Sequence, residues 1–60
     1  MTELITATKI DNAVEIYGIL DEPVRLDYQD PWIAPSLNFF SLDADQRSTA
    51  LRIARALLGL

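Results

Sequence analysis

The sequence predicts an α+β fold, in which a small antiparallel sheet of three or four strands is followed by one amphipathic helix packed on one face of the sheet. Two observations support this prediction. The first half of the chain alternates apolar and polar residues between short turn signals, as half-buried strands do. The last third repeats its apolar residues at helical spacing. Sixty residues are enough for one domain, so we expect residues 1–60 to form a single unit.

The first three strands are predicted from their composition and from the turns between them. Residues 4–10 and 13–20 are rich in Ile, Val, Thr and Tyr, and Asp11-Asn12 between them suits a two-residue hairpin turn. A turn through Pro23 leads into a third strand at residues 24–28. In this register one face of the sheet carries Ile5, Ala7, Val14, Ile16, Gly18, Leu20, Val24, Leu26 and Tyr28.

The segment from residue 30 to residue 42 has weaker signals. Two prolines in DPWIAP, residues 30–35, remove backbone donors and restrict their neighbours, which predicts an extended loop. The following SLNFFSL, residues 36–42, is interpreted either as a short fourth strand or as an extended lead-in to the helix.

The C-terminal helix has a clear start and a clear apolar side. Asp43 is a good N-cap, and Gln46 three residues later completes a capping-box pattern. Gly59 lies near the predicted end of the helix. At 100° per residue the arc expected to face the sheet contains Ala50, Leu51, Ile53, Ala54, Leu57, Leu58 and Leu60.

Composition argues against most kinds of catalytic site. The chain has no cysteine and no histidine, which removes thiolate nucleophiles, disulfides and imidazole ligands. Its two glycines form no phosphate-binding or dinucleotide-binding loop. Asp43 and Asp45 are better explained by helix capping than by metal binding. We therefore expect no enzymatic activity, no cofactor and no metal.

The charge of the chain is unevenly distributed. The formal net charge is −4, and all nine acidic residues lie at or before Asp45, whereas three of the five basic residues follow it. One interpretation is an acidic patch that mimics a nucleic acid or binds a basic partner; the other is that turns and sheet edges carry charge for solubility. The residues of this patch are Asp21, Glu22, Asp27 and Asp30.

Three arginines on the helix support an alternative function. Arg47, Arg52 and Arg55 could contact phosphates and make the chain a nucleic-acid-associated accessory protein. Because the chain is acidic and has no adjacent basic loop, a solvated helix face is the favoured interpretation, and nucleic acid is the disfavoured partner.

Apolar residues outside the predicted core indicate a protein-binding surface. The second face of the sheet would carry Leu4, Ile10, Ala13, Tyr17 and Ile19 between charged residues. Trp32 and Ile33 lie in the proline-bounded loop, where the tryptophan either closes the core or contacts a partner. One of Phe39 and Phe40 is expected in the core and the other at an interface. The predicted contact residues are Tyr17, Ile19, Trp32, Ile33, Phe39 and Phe40.

These features predict a small protein-binding module: a regulator, an inhibitor or an accessory subunit. Chains this short usually need reinforcement, and without disulfides or thiolate and imidazole metal sites the remaining sources are self-association, a partner protein or a very well packed core; a homodimer is favoured. The segment MTELITATKID has no features of a secretory signal, and no apolar run is long enough to cross a membrane, so we expect a cytoplasmic protein. In architecture and size the chain resembles many small proteins of bacteria and their phages, a likeness that assigns no role to any residue.

Overall fold

The computed structural model describes residues 4–60 and has the predicted α+β fold, with a four-stranded antiparallel sheet and one C-terminal helix. Residues 1–3 of the amino-terminal segment discussed above lie outside the described part. The strands are ordered β1-β2-β3-β4, so each pairs with its neighbour in sequence. The elements are β1 (Thr6–Ile10), β2 (Ala13–Tyr17), β3 (Val24–Gln29), β4 (Trp32–Pro35), a 3₁₀ helix (Leu37–Ser41) and α1 (Ala44–Leu58).

The first hairpin has the predicted two-residue turn. Ile10 pairs with Ala13 across the turn, and Asp11 has a φ of 54°, a conformation that aspartate tolerates better than most residues. The backbone N–H of Tyr28 donates to the carbonyl oxygen of Asn12 at 2.7 Å, which ties this turn to β3. Strand β1 therefore lies at one edge of the sheet in a fixed register.

The connection between β2 and β3 is longer than predicted. Strand β2 ends at Tyr17 rather than Leu20, and Gly18, with a φ of 99°, begins a six-residue connection at residues 18–23. Val24 nevertheless pairs with Ile16, so the apolar residues of β3 stay on the predicted face. The extra residues take Ile19 and Leu20 out of the sheet and pack them against the core.

Strand β4 lies where the sequence predicted a loop. Trp32–Pro35 pairs with β3, and Pro31 sits in the turn before it after a cis Asp30–Pro31 peptide bond. The strand is at the edge of the sheet, and proline is tolerated at edges because only one side of the strand is paired. The two prolines therefore bound a short edge strand instead of preventing one.

Residues 36–42 form neither a strand nor an extended lead-in, because Leu37–Ser41 is a 3₁₀ helix. Ser36 fixes its start: the backbone N–H of Ser36 donates to the Arg25 carbonyl at 2.8 Å, and the Arg25 N–H donates to the Ser36 hydroxyl at 3.2 Å. The Asn38 side-chain amide donates to the Pro23 carbonyl at 2.9 Å. These bonds hold the 3₁₀ helix against the start of β3. An extended segment in its place would leave this side of the core uncovered.

Helix α1 begins and ends as predicted. The N–H of Gln46 donates to the Asp43 carboxylate at 2.8 Å, and the Asp43 N–H donates to the Gln46 side chain at 3.1 Å, which completes the capping box. Gly59 ends the helix in the left-handed conformation. Ala50 and Ala54 are fully buried, and their short side chains let α1 lie close over β1 and β2.

One hydrophobic core lies between the sheet and the two helices. Strands β2 and β3 supply its largest fully buried side chains, while the 3₁₀ helix and the segment after it supply Phe39 and Leu42. The core consists of Val14, Ile16, Val24, Leu26, Phe39, Leu42, Ala50 and Ala54, with Ala7, Ile19, Leu20, Ile33, Ile53 and Leu58 packed around it.

Candidate functional site

The face of the sheet opposite α1 is the candidate site, and we call it the open face. No element of the described residues covers it, and the strand register assigns its side chains. Its members are Thr6, Thr8, Ile10, Ala13, Glu15, Tyr17, Arg25, Asp27, Gln29, Trp32 and Ala34. Alternation in the sequence predicted six of these residues on this face: Ile10, Ala13, Glu15, Tyr17, Arg25 and Asp27.

A polar network crosses the middle of the open face and is organised by Arg25. Its guanidinium lies 3.2 Å from a carboxylate oxygen of Glu15 on β2 and 3.2 Å from one of Asp27 on β3 itself. The Tyr17 hydroxyl donates to the other Glu15 oxygen at 2.8 Å. About half of the Arg25 side chain is exposed, so each ion pair contributes only about 0–1 kcal/mol to stability. Its main effect is to hold four polar side chains in one arrangement.

Apolar side chains flank this network. Trp32 is 66% exposed beside Gln29, and Ile10 is 43% exposed at the β1 edge. The row that begins at Ile10 continues through Ala13, Asp27 and Ala34, and Ala13 is only 2% exposed because its neighbours cover it. The result is a surface with Ile10 exposed at the β1 edge and Trp32 exposed at the β4 edge.

Both tyrosines donate their hydroxyl hydrogens to nearby carboxylates. The hydrogen bond from Tyr17 to Glu15, with lesser effects of desolvation and of the carboxylate charge, raises the pKa of Tyr17 above its usual value. Tyr28 donates to Asp30 at 3.0 Å, which raises the pKa of Tyr28 in the same way. Both hydroxyls therefore remain protonated donors at neutral pH.

The other predicted contact residues are divided between the core and the surface. Ile19, expected on the open face, and Ile33, expected in a loop, pack against the core, and Phe39 is only 6% exposed. Phe40 is 62% exposed, and its ring meets that of Phe39 edge-on, with centroids 5.5 Å apart. Phe39 is thus the core member of the pair.

The exposed residue Leu37 was not predicted as a contact residue from the sequence. Leu37 is 88% exposed and lies three residues before Phe40, so in a 3₁₀ helix both side chains point to the same side. Residues 36–42 were predicted to be extended, and an extended strand places residues three apart on opposite faces, so the two side chains were not recognised as neighbours. This pair follows the end of β4 opposite Trp32, so it is not part of the open face.

The acidic residues do not form one patch. Asp21 and Glu22 lie in the β2–β3 connection at one end of the sheet, and Asp30 lies in the β3–β4 turn at the other end. Asp27 lies between these ends and is paired with Arg25. The topology therefore distributes carboxylates that are close in sequence over the length of the strands.

The helix arginines are arranged much as predicted. Arg52 and Arg55 are exposed and line a shallow surface groove together with Ser48 and Leu51, whereas Arg47 is half-buried. A second cleft, of about 250 Å³, lies where the start of α1 meets β1 and Gly18. Its lining residues are Ile5, Gly18, Ile19, Asp45, Gln46 and Thr49.

Within residues 4–60, no group of three or more acidic side chains is placed to hold a metal ion. The helices of this described part are also too short and too polar to cross a membrane. Comparison of the chain with protein-family models, with curated proteins and with solved structures finds no match.

Proposed function

We propose that this chain is a non-enzymatic protein-binding module, a regulator, inhibitor or accessory subunit, that contacts its partner through the open face. The observation that carries the proposal is the exposed Trp32 beside the Arg25 network. Tryptophan, tyrosine and arginine are the residue types that contribute most at protein interfaces, and the open face has one of each.

The charges of the open face support a protein partner over a polyanion. Glu15 and Asp27 outnumber Arg25, so the face repels phosphates and offers carboxylate oxygens to a basic or hydrogen-bonding group. The apolar contact with Trp32 and Ile10 would supply most of the affinity, and the network would orient the partner. The proposed partner surface therefore has an apolar centre next to an arginine or lysine.

The proposal also places the module in the cytoplasm. The chain has no cysteine, whereas small secreted domains are commonly stabilised by disulfides. Fractionation of cells that carry the tagged chain tests this point.

Affinity capture from a lysate of the source organism, with and without nuclease, tests the function. Wild-type chain should retain a specific set of proteins after nuclease treatment. Trp32→Ala should lose at least nine-tenths of them, because it removes the exposed indole and no member of the hydrophobic core. The matched control is the double change Arg52→Gln and Arg55→Gln on the outer side of α1, which should retain the same set.

Two results would contradict the proposal. Retained proteins that are unaffected by Trp32→Ala would exclude the open face as the contact surface. Loss of all of them on nuclease treatment, or in the double arginine variant, would instead support the nucleic-acid function of the helix.

A further inference from the structure

The two edges of the sheet differ in how they are protected from pairing. Strand β4 has only four residues and ends in Pro35, which are features that block an added strand. Strand β1 has five residues, no proline and an unbroken register, and within residues 4–60 no strand pairs with its outer side. Lys9 is the only charged residue of β1, and the unpaired N–H and C=O groups of the strand form a template for another strand.

The hairpin register identifies the free backbone groups of β1. In an antiparallel pair the residues that exchange hydrogen bonds alternate along the strand, and Ile10–Ala13 closes a two-residue turn as such a pair. Thr6, Thr8 and Ile10 therefore direct their N–H and C=O groups toward β2. Those of Ala7 and Lys9 face outward.

We propose that β1 pairs antiparallel with β1 of a second copy of this chain, which joins two sheets into one of eight strands. In the register centred on Thr8, Ala7 lies opposite Lys9 of the second copy, so the outward-facing groups hydrogen bond to each other. Thr8 meets Thr8, and Thr6 meets Ile10. No like charges face each other along this edge, although each chain carries a net charge of −4.

The position of α1 fits the same two-fold axis. Antiparallel pairing of two β1 strands creates a two-fold axis midway between them, half a strand spacing outside each β1. Helix α1 lies over β1 and β2, so it is about one strand spacing, ~4.8 Å, to the side of this axis. The helix and its copy would then be separated by about 10 Å, at the upper end of the normal packing range for helices.

The flank of α1 toward the β1 edge has the spacing of a helix-packing stripe. Thr49 lines the cleft beside Ile5, which identifies this flank, and Ile53 and Ala56 follow at intervals of four and three residues. Leu60 lies beyond Gly59, which ends the helix. Ile53 is half-buried, and Leu60 is 48% exposed in the single chain. Asp45 lines the same cleft four residues before Thr49, and Arg52 lines a groove together with Ala56, so this flank carries one acidic residue and borders a basic one.

Sedimentation velocity over a range of concentrations tests the pairing. Wild-type chain should reach twice the mass of one chain. Lys9→Pro removes an outward N–H, and Ala56→Glu puts two carboxylates close to the axis; each should raise the dimer dissociation constant at least tenfold. Lys9→Ala and Ala44→Glu, at an exposed helix position that lines neither cleft, are the matched controls and should leave it unchanged, with circular dichroism confirming the fold of every variant.

The proposed β1 pairing does not depend on the proposed partner contact at the open face, so experiments can contradict either proposal without contradicting the other. Trp32→Ala should leave the dimer intact even where it abolishes partner capture. A wild-type chain that stays monomeric at 1 mM would overturn the inference. So would a dimer that is unaffected by Ala56→Glu, or one that dissociates on Trp32→Ala. If Lys9→Pro does not fold, the Ala56→Glu and Ala44→Glu pair decides the question.

Discussion

At the residue scale, the Glu15–Arg25–Asp27 network determines which donors and acceptors the open face presents. Glu15 uses one oxygen for Arg25 and the other for the Tyr17 hydroxyl, so Tyr17 is fixed although 41% of it is exposed. Fixing a side chain before binding reduces the entropy lost when a partner arrives. The network therefore prepares the open face for contact without contributing much to folding.

The titration of Tyr17 tests this arrangement. In a Tyr28→Phe background, Tyr17 is the only tyrosine and should ionise above its ordinary pKa, because the hydrogen bond to Glu15 requires the neutral hydroxyl. The stabilisation from this bond is present below pH 10 and is lost as the pH rises through the raised pKa. Absorbance at 295 nm follows the ionisation.

Two further substitutions separate the hydrogen bond from general charge. Glu15→Ala should lower the pKa of Tyr17 toward the ordinary value. Asp27→Ala removes the same charge from the same face without touching the hydroxyl, and it should change the pKa little. An equal effect of both substitutions would show that the hydrogen bond is absent.

At the scale of elements, the chain was predictable where each element carries its own local signals. The Asp11-Asn12 turn, the alternation of β2 and β3 and the capping box at Asp43 all depend on neighbouring residues, and all are found as predicted. The residues from Trp32 to Ser41 were not predictable in this way. Their structure depends on pairing with β3 across the Asp30-Pro31 turn and on hydrogen bonds of Ser36 and Asn38 with residues 11 and 15 positions earlier.

Gly18 follows the end of β2 and Gly59 follows the end of α1, but their surroundings differ. The same substitution to alanine should therefore have different effects at the two positions. A Cβ at Gly18 would lie 2.4 Å from the Leu4 carbonyl oxygen, and the residue has a φ of 99°. Gly59 also has a positive φ, but nothing lies within 4 Å of a Cβ there. Gly59→Ala should therefore cost about 1 kcal/mol from backbone strain alone.

Gly18→Ala should cost clearly more, roughly 2–4 kcal/mol, because the backbone of Leu4 and Ile5 must also move. Urea denaturation of both variants measures the two free energies of unfolding. Equal costs would mean that the Leu4–Ile5 segment does not pass beside Gly18.

At the scale of the whole molecule, one face of the sheet is used for the core and the other is left for contact. The sequence predicted this division and four polar members of the open face: Glu15, Tyr17, Arg25 and Asp27. It missed the position of Trp32, because Pro31 before β4 and Pro35 at its end indicated a loop instead of a strand. It also assigned Ile19 to the open face, because the connection after Tyr17 was predicted to be shorter than it is.

Site-specific photo-cross-linking in cells tests most directly whether the open face is the contact surface. A photoreactive amino acid at Gln29, exposed beside Trp32, should cross-link to a discrete protein other than this chain. The same amino acid at Ser48, exposed on the outer side of α1, should not. Cross-links from Ser48 alone would contradict the assignment of the open face, as would cross-links from Gln29 only to a second copy of the chain.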